Sequence, residues 1–187
     1  MIYSDSHKFM FYHIPKTAGT SMHSVFKQYG VSAHVNEFHY TRVRSHTAVE
    51  HTWDKYKGNE YFSFAIVRNP YDRMFSLYKF LTKVRRINKT FEQFIKGMDT
   101  TEPSQYKLLN INGTIPLSFI GKFENIEEDF NFIANKINIK ERYKDLPKLL
   151  KAIHNTSYKE QINNELKAII DERHHDDFIN FNYKKEL

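Results

Sequence analysis

The sequence predicts an α/β fold, in which a central parallel sheet carries helices on both faces. Short apolar segments of strand length alternate with segments of helical spacing, and each strand passes to its helix through a tight polar loop. The length of 187 residues suits one domain, so we expect residues 1–187 to share a packed core. Ligands of such sheets bind at the carboxyl ends of the strands, which directs attention to the loops that follow them.

The first strand and helix lie near the start of the chain. Residues 8–14 form an apolar and aromatic run that stops at Pro15. From Ser21 onward the apolar residues recur at helical spacing, and Gly30 follows as a C-terminal cap. This segment therefore predicts a strand, a tight loop and a helix.

A second strand and helix follow the same plan. Residues 61–67 are rich in β-forming residues and predict a strand buried on both faces. Asn69 suits the N-cap of the next helix, Pro70 its first position and Asp72 its positive first turn. The apolar stripe of this helix is expected to consist of Tyr71, Met74, Phe75, Tyr78 and Leu81.

Three further elements complete the predicted order. Residues 117–123 indicate a third strand, and residues 126–137 a helix that opens with acidic side chains. A last helix is predicted over 159–173. The tail at 176–183 holds enough aromatic residues to dock on the rest of the fold.

The loop after the first strand is a candidate phosphate-binding site. Residues 15–21, PKTAGTS, connect the carboxyl end of a strand to the N-terminus of a helix, where unpaired amides and the helix dipole favour an anion. Gly19 would let the backbone approach a ligand closely, and Thr20 and Ser21 would add hydroxyl donors. Lys16 would supply a positive charge. An ordinary polar turn is the alternative interpretation of this loop.

Two segments carry a resemblance to a known family. Residues 13–22, HIPKTAGTSM, closely resemble the 5′-phosphosulfate-binding loop of carbohydrate sulfotransferases of the heparan sulfate 2-O-sulfotransferase type and their small bacterial relatives. Residues 65–78, AIVRNPYDRMFSLY, resemble the 3′-phosphate-binding segment of that family, with Arg68 and Ser76 eight positions apart as in the family. Since the two segments match independently and in the right order, the pair is more specific than either alone.

The resemblance implies a P-loop-like sulfotransferase fold that uses 3′-phosphoadenosine 5′-phosphosulfate (PAPS) as donor and no metal. A third segment, residues 119–130, is also similar to the family, although Lys122 stands where arginine is usual. By resemblance, Arg68 and Ser76 bind the 3′-phosphate, and a structural ion pair with Asp72 is the alternative for Arg68. The other donor-binding residues implied are Lys16, Thr17, Ala18, Gly19, Thr20 and Ser21.

The implied reaction is in-line transfer of a sulfo group to a hydroxyl group of an acceptor, with carbohydrate as the acceptor class by analogy. Lys16 would stabilise the leaving oxygen, and a histidine would remove the acceptor proton. His46 lies 22 positions before Arg68, which resembles the placement of the catalytic histidine in the 2-O-sulfotransferase group. His39 is the second choice. The remaining candidates in this stretch are His34 and His51.

Composition narrows the classes of partner and compartment. The chain carries a formal net charge of +6, which suits an anionic partner, and it contains no cysteine, which excludes disulfides and thiolate metal sites. The start of the sequence lacks the pattern of a signal peptide, and no apolar run approaches the ~20 residues of a membrane span. We therefore expect a soluble, cytoplasmic protein.

Other functions remain open at this stage. A kinase-like phosphoryl-transfer protein would also bind an anion between strand and helix, but Lys16 precedes Gly19, whereas the lysine of a Walker A loop follows the glycines. A nucleic-acid-binding module would explain the basic charge, but the aromatic residues fall at spacings typical of a core. A third alternative is a module that binds nucleotide or glycan without turnover.

Overall fold

The computed structural model describes residues 1–32, 48–56, 60–85, 87–97, 103–146 and 157–187. Within these ranges the chain forms a five-stranded sheet with the order β3-β1-β2-β4-β5. The strands are β1 Ile2–Ser4, β2 Phe9–Tyr12, β3 Val31–Ser32, β4 Phe62–Val67 and β5 Phe119–Lys122.

The three strands expected from the sequence are present, and they are parallel. Strand β2 pairs with β4, placing Phe11 beside Phe64, and β4 pairs with β5, placing Ile66 beside Gly121. Each pair is joined through helices, as parallel strands require. This half of the sheet confirms the α/β class.

The expectation of an entirely parallel sheet is wrong, because the sheet is mixed. Strand β1 runs antiparallel to β2, and β3 runs antiparallel to β1. The chain passes from Ser4 to Phe9 through a tight turn. A parallel connection needs a crossover of roughly a dozen residues, so this turn can only make a hairpin.

The helices that flank the sheet begin and end close to the predicted limits. The first helix starts at Gly19, two residues before the predicted Ser21. The second starts at Pro70 as predicted, and Asn69 Oδ1 accepts a hydrogen bond from the backbone N of Tyr71 at 2.9 Å. The helices are α1 Gly19–Phe26, α2 Pro70–Arg85, α3 Phe91–Lys96, α4 Gln105–Leu109, α5 Ile126–Lys136, α6 Asn164–Arg173 and α7 His175–Asn180.

The last predicted helix is divided in two. A 3₁₀ turn covers Tyr158–Glu160, and α6 begins only at Asn164, where Asn163 Oδ1 accepts from the N of Leu166 at 2.9 Å. The tail forms α7, and its Phe178 is buried, as the expected docking requires.

Helices cover both faces of the sheet, as predicted. Because side chains alternate along a strand, Phe9 and Phe11 point to the face that packs on α1 and α5. Met10 and Tyr12 point to the opposite face, where α4 and the C-terminal tail pack. A further apolar cluster joins α2, α3, α6 and α7. None of the helices in the described ranges combines the length and apolar character needed to cross a bilayer.

Candidate functional site

The parallel pairing of β2 with β4 brings the two candidate loops into contact. The loop after β2 contains Lys16, and Arg68 directly follows β4. Arg68 Nη1 donates a hydrogen bond to the backbone oxygen of Lys16 at 3.0 Å. The two segments singled out in the sequence are therefore neighbours at the carboxyl edge of the sheet.

The backbone of the first loop adopts an uncommon conformation. Lys16 has φ 71° and Ala18 has φ 62°, both in the left-handed region that side chains with a Cβ rarely adopt. Such conformations cost on the order of 1 kcal/mol each and persist only where the surroundings enforce them.

Side-chain donors bind three successive carbonyl oxygens of this loop. They are Thr17 Oγ1 to the O of Ile14 (3.0 Å), Arg73 Nε to the O of Pro15 (3.1 Å) and Arg68 Nη1 to the O of Lys16 (3.0 Å). These bonds hold the unusual backbone in place. They also satisfy carbonyl oxygens that would otherwise repel an anion at this position.

The N-terminus of α1 has no side-chain cap. Its N-cap residue is Ala18, and the first turn holds no acidic residue. The first N–H groups of a helix have no partner within the helix, and the helix dipole is positive there. Thr20 is exposed and Ser21 half-buried, so both hydroxyl groups are near enough to the surface to reach a ligand.

Gly19 is required by the close approach of His13. A Cβ placed on Gly19 would overlap Cδ2 and Nε2 of the His13 imidazole. His13, which directly follows β2, is only 9% exposed and stacks on Phe11, which leaves it little room to move. The absence of a side chain at Gly19 lets the His13 ring pack against the backbone. This contact explains why a glycine occupies this position of the loop.

One side of α2 faces the loop. Lys16 Nζ lies 4.2 Å from the centre of the Phe80 ring, and Asp72 binds Arg68. Ser76 lies one helical turn from each of Phe80 and Asp72, and residues four apart share a helix face. The structure thus places Lys16, Arg68 and Ser76 in the same region.

Three groups contact the Arg68 guanidinium, namely the Lys16 carbonyl, the Asp72 carboxylate and the Phe123 ring. Arg68 Nε and Nη2 each lie 2.8 Å from Oδ2 of Asp72, and its guanidinium lies 3.9 Å from the centre of the Phe123 ring. The ion pair considered as an alternative role is therefore present. Arg68 keeps 14% of its side chain exposed, and a guanidinium carries more N–H donors than these contacts use.

Glu124 connects the second loop to the C-terminal tail, a link that sequence reasoning did not assign. Its Oε1 accepts from the backbone N of Asn69 at 2.7 Å, and its Oε2 accepts from Tyr183 OH at 2.8 Å. Burial and the Glu124 carboxylate raise the pKa of Tyr183, so this phenol remains a donor. Lys122 packs beside it, with Nζ 4.7 Å from the Tyr183 ring centre.

The candidate bases are only partly visible. His46, His39 and His34 lie outside the described residues. His51 belongs to the 3₁₀ turn Val49–His51 and is half-buried. The assignment of His46 therefore stays a prediction.

These features define an α/β protein with a candidate anion-binding loop and a basic side chain at adjoining strand ends. The chain belongs to the sulfotransferase family, whose model matches residues 1–184. It is also 31% identical over 85 residues to an uncharacterized protein of Archaeoglobus fulgidus. The aligned segment covers 43% of this chain and 71% of that protein. No solved structure matches the chain.

The packing of Gly19 on His13 can be tested by a double-mutant cycle. Gly19→Ala is expected to lower the free energy of unfolding by about 1–3 kcal/mol, because the added methyl group must displace a buried ring. His13→Ala makes room for that methyl group, so the double variant should lose less than the sum of the two single losses. Urea denaturation of the four proteins measures this. Additive losses would show that the two residues do not oppose each other.

Proposed function

We propose that the protein transfers a sulfo group from PAPS to a hydroxyl group of an acceptor, and that residues 1–187 act as one domain. The observation that carries this proposal is the hydrogen bond from Arg68 to the Lys16 carbonyl. It joins the two segments that would bind the 5′-phosphosulfate and the 3′-phosphate of a single nucleotide. Membership of the sulfotransferase family supports the reaction type.

The proposed donor site divides between the two loops. Residues 16–21 would bind the 5′-phosphosulfate through backbone amides at the start of α1 and through the Thr20 and Ser21 hydroxyls. Arg68 and Ser76 would bind the 3′-phosphate, for which a guanidinium offers paired donors. The loop fits this task because its carbonyl oxygens already have donors.

The proposed chemistry is a direct displacement at sulfur. The acceptor oxygen forms a bond to sulfur while the bond from sulfur to the bridging phosphate oxygen breaks, which releases 3′-phosphoadenosine 5′-phosphate (PAP). Lys16 would neutralise the charge that develops on the leaving oxygen. His46 would take the proton of the acceptor hydroxyl.

A carbohydrate is the proposed acceptor. The resemblance of residues 13–22 and 65–78 to carbohydrate sulfotransferases supports this class, and the net charge of +6 is suited to an anionic polysaccharide. Residues 31–60 and 85–115 would set the acceptor specificity, since variable loops carry specificity in such folds.

The first prediction concerns the donor product. PAP is expected to raise the melting temperature more than AMP does, because only PAP presents a 3′-phosphate to Arg68 and Ser76. At about 100 times its Kd, PAP should add roughly 2.7 kcal/mol to the free energy of unfolding. Differential scanning fluorimetry with both nucleotides measures this. Equal shifts would argue against a 3′-phosphate site.

The second prediction separates Lys16 from Arg68. Arg68→Ala should chiefly weaken PAP binding, whereas Lys16→Ala should chiefly lower the turnover, because the charge on the leaving oxygen develops in the transition state. Titration calorimetry with PAP and single-turnover sulfo transfer give the two quantities for each variant. An unchanged rate in Lys16→Ala would refute its catalytic role.

The third prediction concerns the base. His46→Ala should lower the turnover by about 10²–10⁴-fold and leave PAP affinity close to the wild-type value, since a general base acts on the acceptor. His39→Ala, in the same stretch, is the matched control and should lose much less. The reverse result would transfer the role to His39 and leave the proposed reaction intact.

A further inference from the structure

A group of polar side chains is buried behind the two loops. Arg73, Gln105 and Asp177 are each 0% exposed, and His174 is 2% exposed. Burying polar groups is costly unless they bind one another or the backbone. These residues come from α2, α4, α7 and the residue between α6 and α7, so the group connects distant parts of the chain.

Gln105 binds both backbone polar groups of Arg68. Its Oε1 accepts from the backbone N of Arg68 at 2.8 Å, and its Nε2 donates to the backbone O of Arg68 at 2.8 Å. Strand β4 ends at Val67, so Arg68 lies just beyond the last ladder position. The amide of Gln105 takes the place of a neighbouring strand at this residue.

Asp177 fixes which way the Gln105 amide points. Asp177 Oδ2 accepts from the backbone N of Gln105 at 3.0 Å and from its Nε2 at 3.3 Å, while Oδ1 accepts from the backbone N of Tyr106 at 2.7 Å. An ionised carboxylate only accepts hydrogen bonds, so Nε2 must face it. Oε1 is then left to face the N–H of Arg68.

The charge of Asp177 is balanced within the buried group. Burial alone would raise the pKa of Asp177, but His174, the positive charge of Arg73 and the N–H of Tyr106 together hold the pKa below its usual value. His174 Nδ1 lies 3.5 Å from Asp177 Oδ2, at the long end of hydrogen-bond distances. Asp177 is therefore an acceptor at neutral pH.

Arg73 extends the same group to the first loop. It donates through Nε to the O of Pro15 at 3.1 Å, and through Nη1 and Nη2 to the O of Pro103 at 3.3 Å. Pro103 lies two residues before Gln105. The segment that carries Gln105 is thus bound to both loops of the site.

We propose that Gln105 and Asp177 are positioning residues that hold Arg68 in place for the 3′-phosphate of the donor. This inference rests on the proposed function, since it assumes that Arg68 binds that phosphate. Gln105 acts on Arg68 directly through the backbone, and Asp177 acts through Gln105. Both side chains are fully buried, so they would act on the donor only through Arg68.

The test compares nucleotide preference in Gln105→Met and in a matched control. Methionine keeps the length of the side chain and loses both hydrogen bonds to Arg68, so the guanidinium loses its backbone support and PAP should bind about 10-fold more weakly. AMP affinity should change less than about twofold, because AMP lacks the 3′-phosphate.

The matched control is Ser104→Ala. It removes the N-cap of the same helix, whose side chain accepts a hydrogen bond from the backbone N of Lys107, and it leaves the contacts of Arg68 intact. It should lower the melting temperature and preserve the preference for PAP.

A second variant, Gln105→Glu, provides a test if Gln105→Met does not fold. Gln105→Glu keeps the acceptor for the N–H of Arg68 but places a carboxylate against Asp177, and it should also reduce the preference for PAP. Circular dichroism identifies which variants are folded. If a folded Gln105 variant keeps the wild-type ratio of PAP to AMP affinity, or if Ser104→Ala loses it, the positioning role is wrong.

Failure of the positioning role can be distinguished from failure of the proposed function. A wild-type protein that binds PAP no better than AMP would refute the 3′-phosphate site itself. The chemical shift of the Arg68 Nε–H, measured by NMR without nucleotide, then tests whether Gln105 holds Arg68 in place. It should change in both Gln105 variants and stay unchanged in Ser104→Ala. A resonance that does not shift in the Gln105 variants overturns the inference.

Discussion

The parallel pairing of β2 with β4 is the constraint on which the candidate site depends. Neighbouring parallel strands lie about 4.8 Å apart and end at the same edge, so the loops that follow them must touch. The observed contact is the hydrogen bond from Arg68 to the carbonyl of Lys16. A shift of one residue in this pairing would exchange the two faces of β4 and turn Phe64 away from the core that it shares with Phe11.

The sequence predicted the parallel half of the sheet because each of its strands is a continuous apolar run with a helix behind it. Strands β1 and β3 escaped notice since three and two residues are too short for any pattern to show. Their pairing also depends on a tight turn after Ser4, and on the return of the chain after α1. Strands β1 and β3 lie on the side of β2 away from β4. They therefore leave the pairing of β2 with β4, on which the candidate site depends, unchanged.

Local motifs predicted the residues at the surface of the candidate site but not the buried residues behind them. Lys16 and Arg68 stand in short segments whose order of residues is informative by itself. Gln105 and Asp177 are 72 positions apart and meet only in the folded chain, so no spacing rule could pair them. Arg68 and Asp72 were recognisable as a possible ion pair from their separation of four, and the structure contains it. The base is a different case, because His46 lies outside the described residues.

The contacts of Arg68 bear on how the proposed phosphate site would work. Ordering an arginine side chain costs about 2 kcal/mol of rotamer entropy, and a ligand that must order it loses that amount of affinity. Here Asp72 and Phe123 fix the guanidinium and Gln105 fixes the backbone before any ligand binds. The carboxylate of Asp72 reduces the net positive charge that Arg68 offers a phosphate. It also fixes the plane of the guanidinium, and so the direction of the N–H groups that remain unused. A planar guanidinium retains usable donors in such an arrangement, whereas the compact ammonium group of a lysine would be neutralised by the same carboxylate. This difference explains why an arginine is suited to this position.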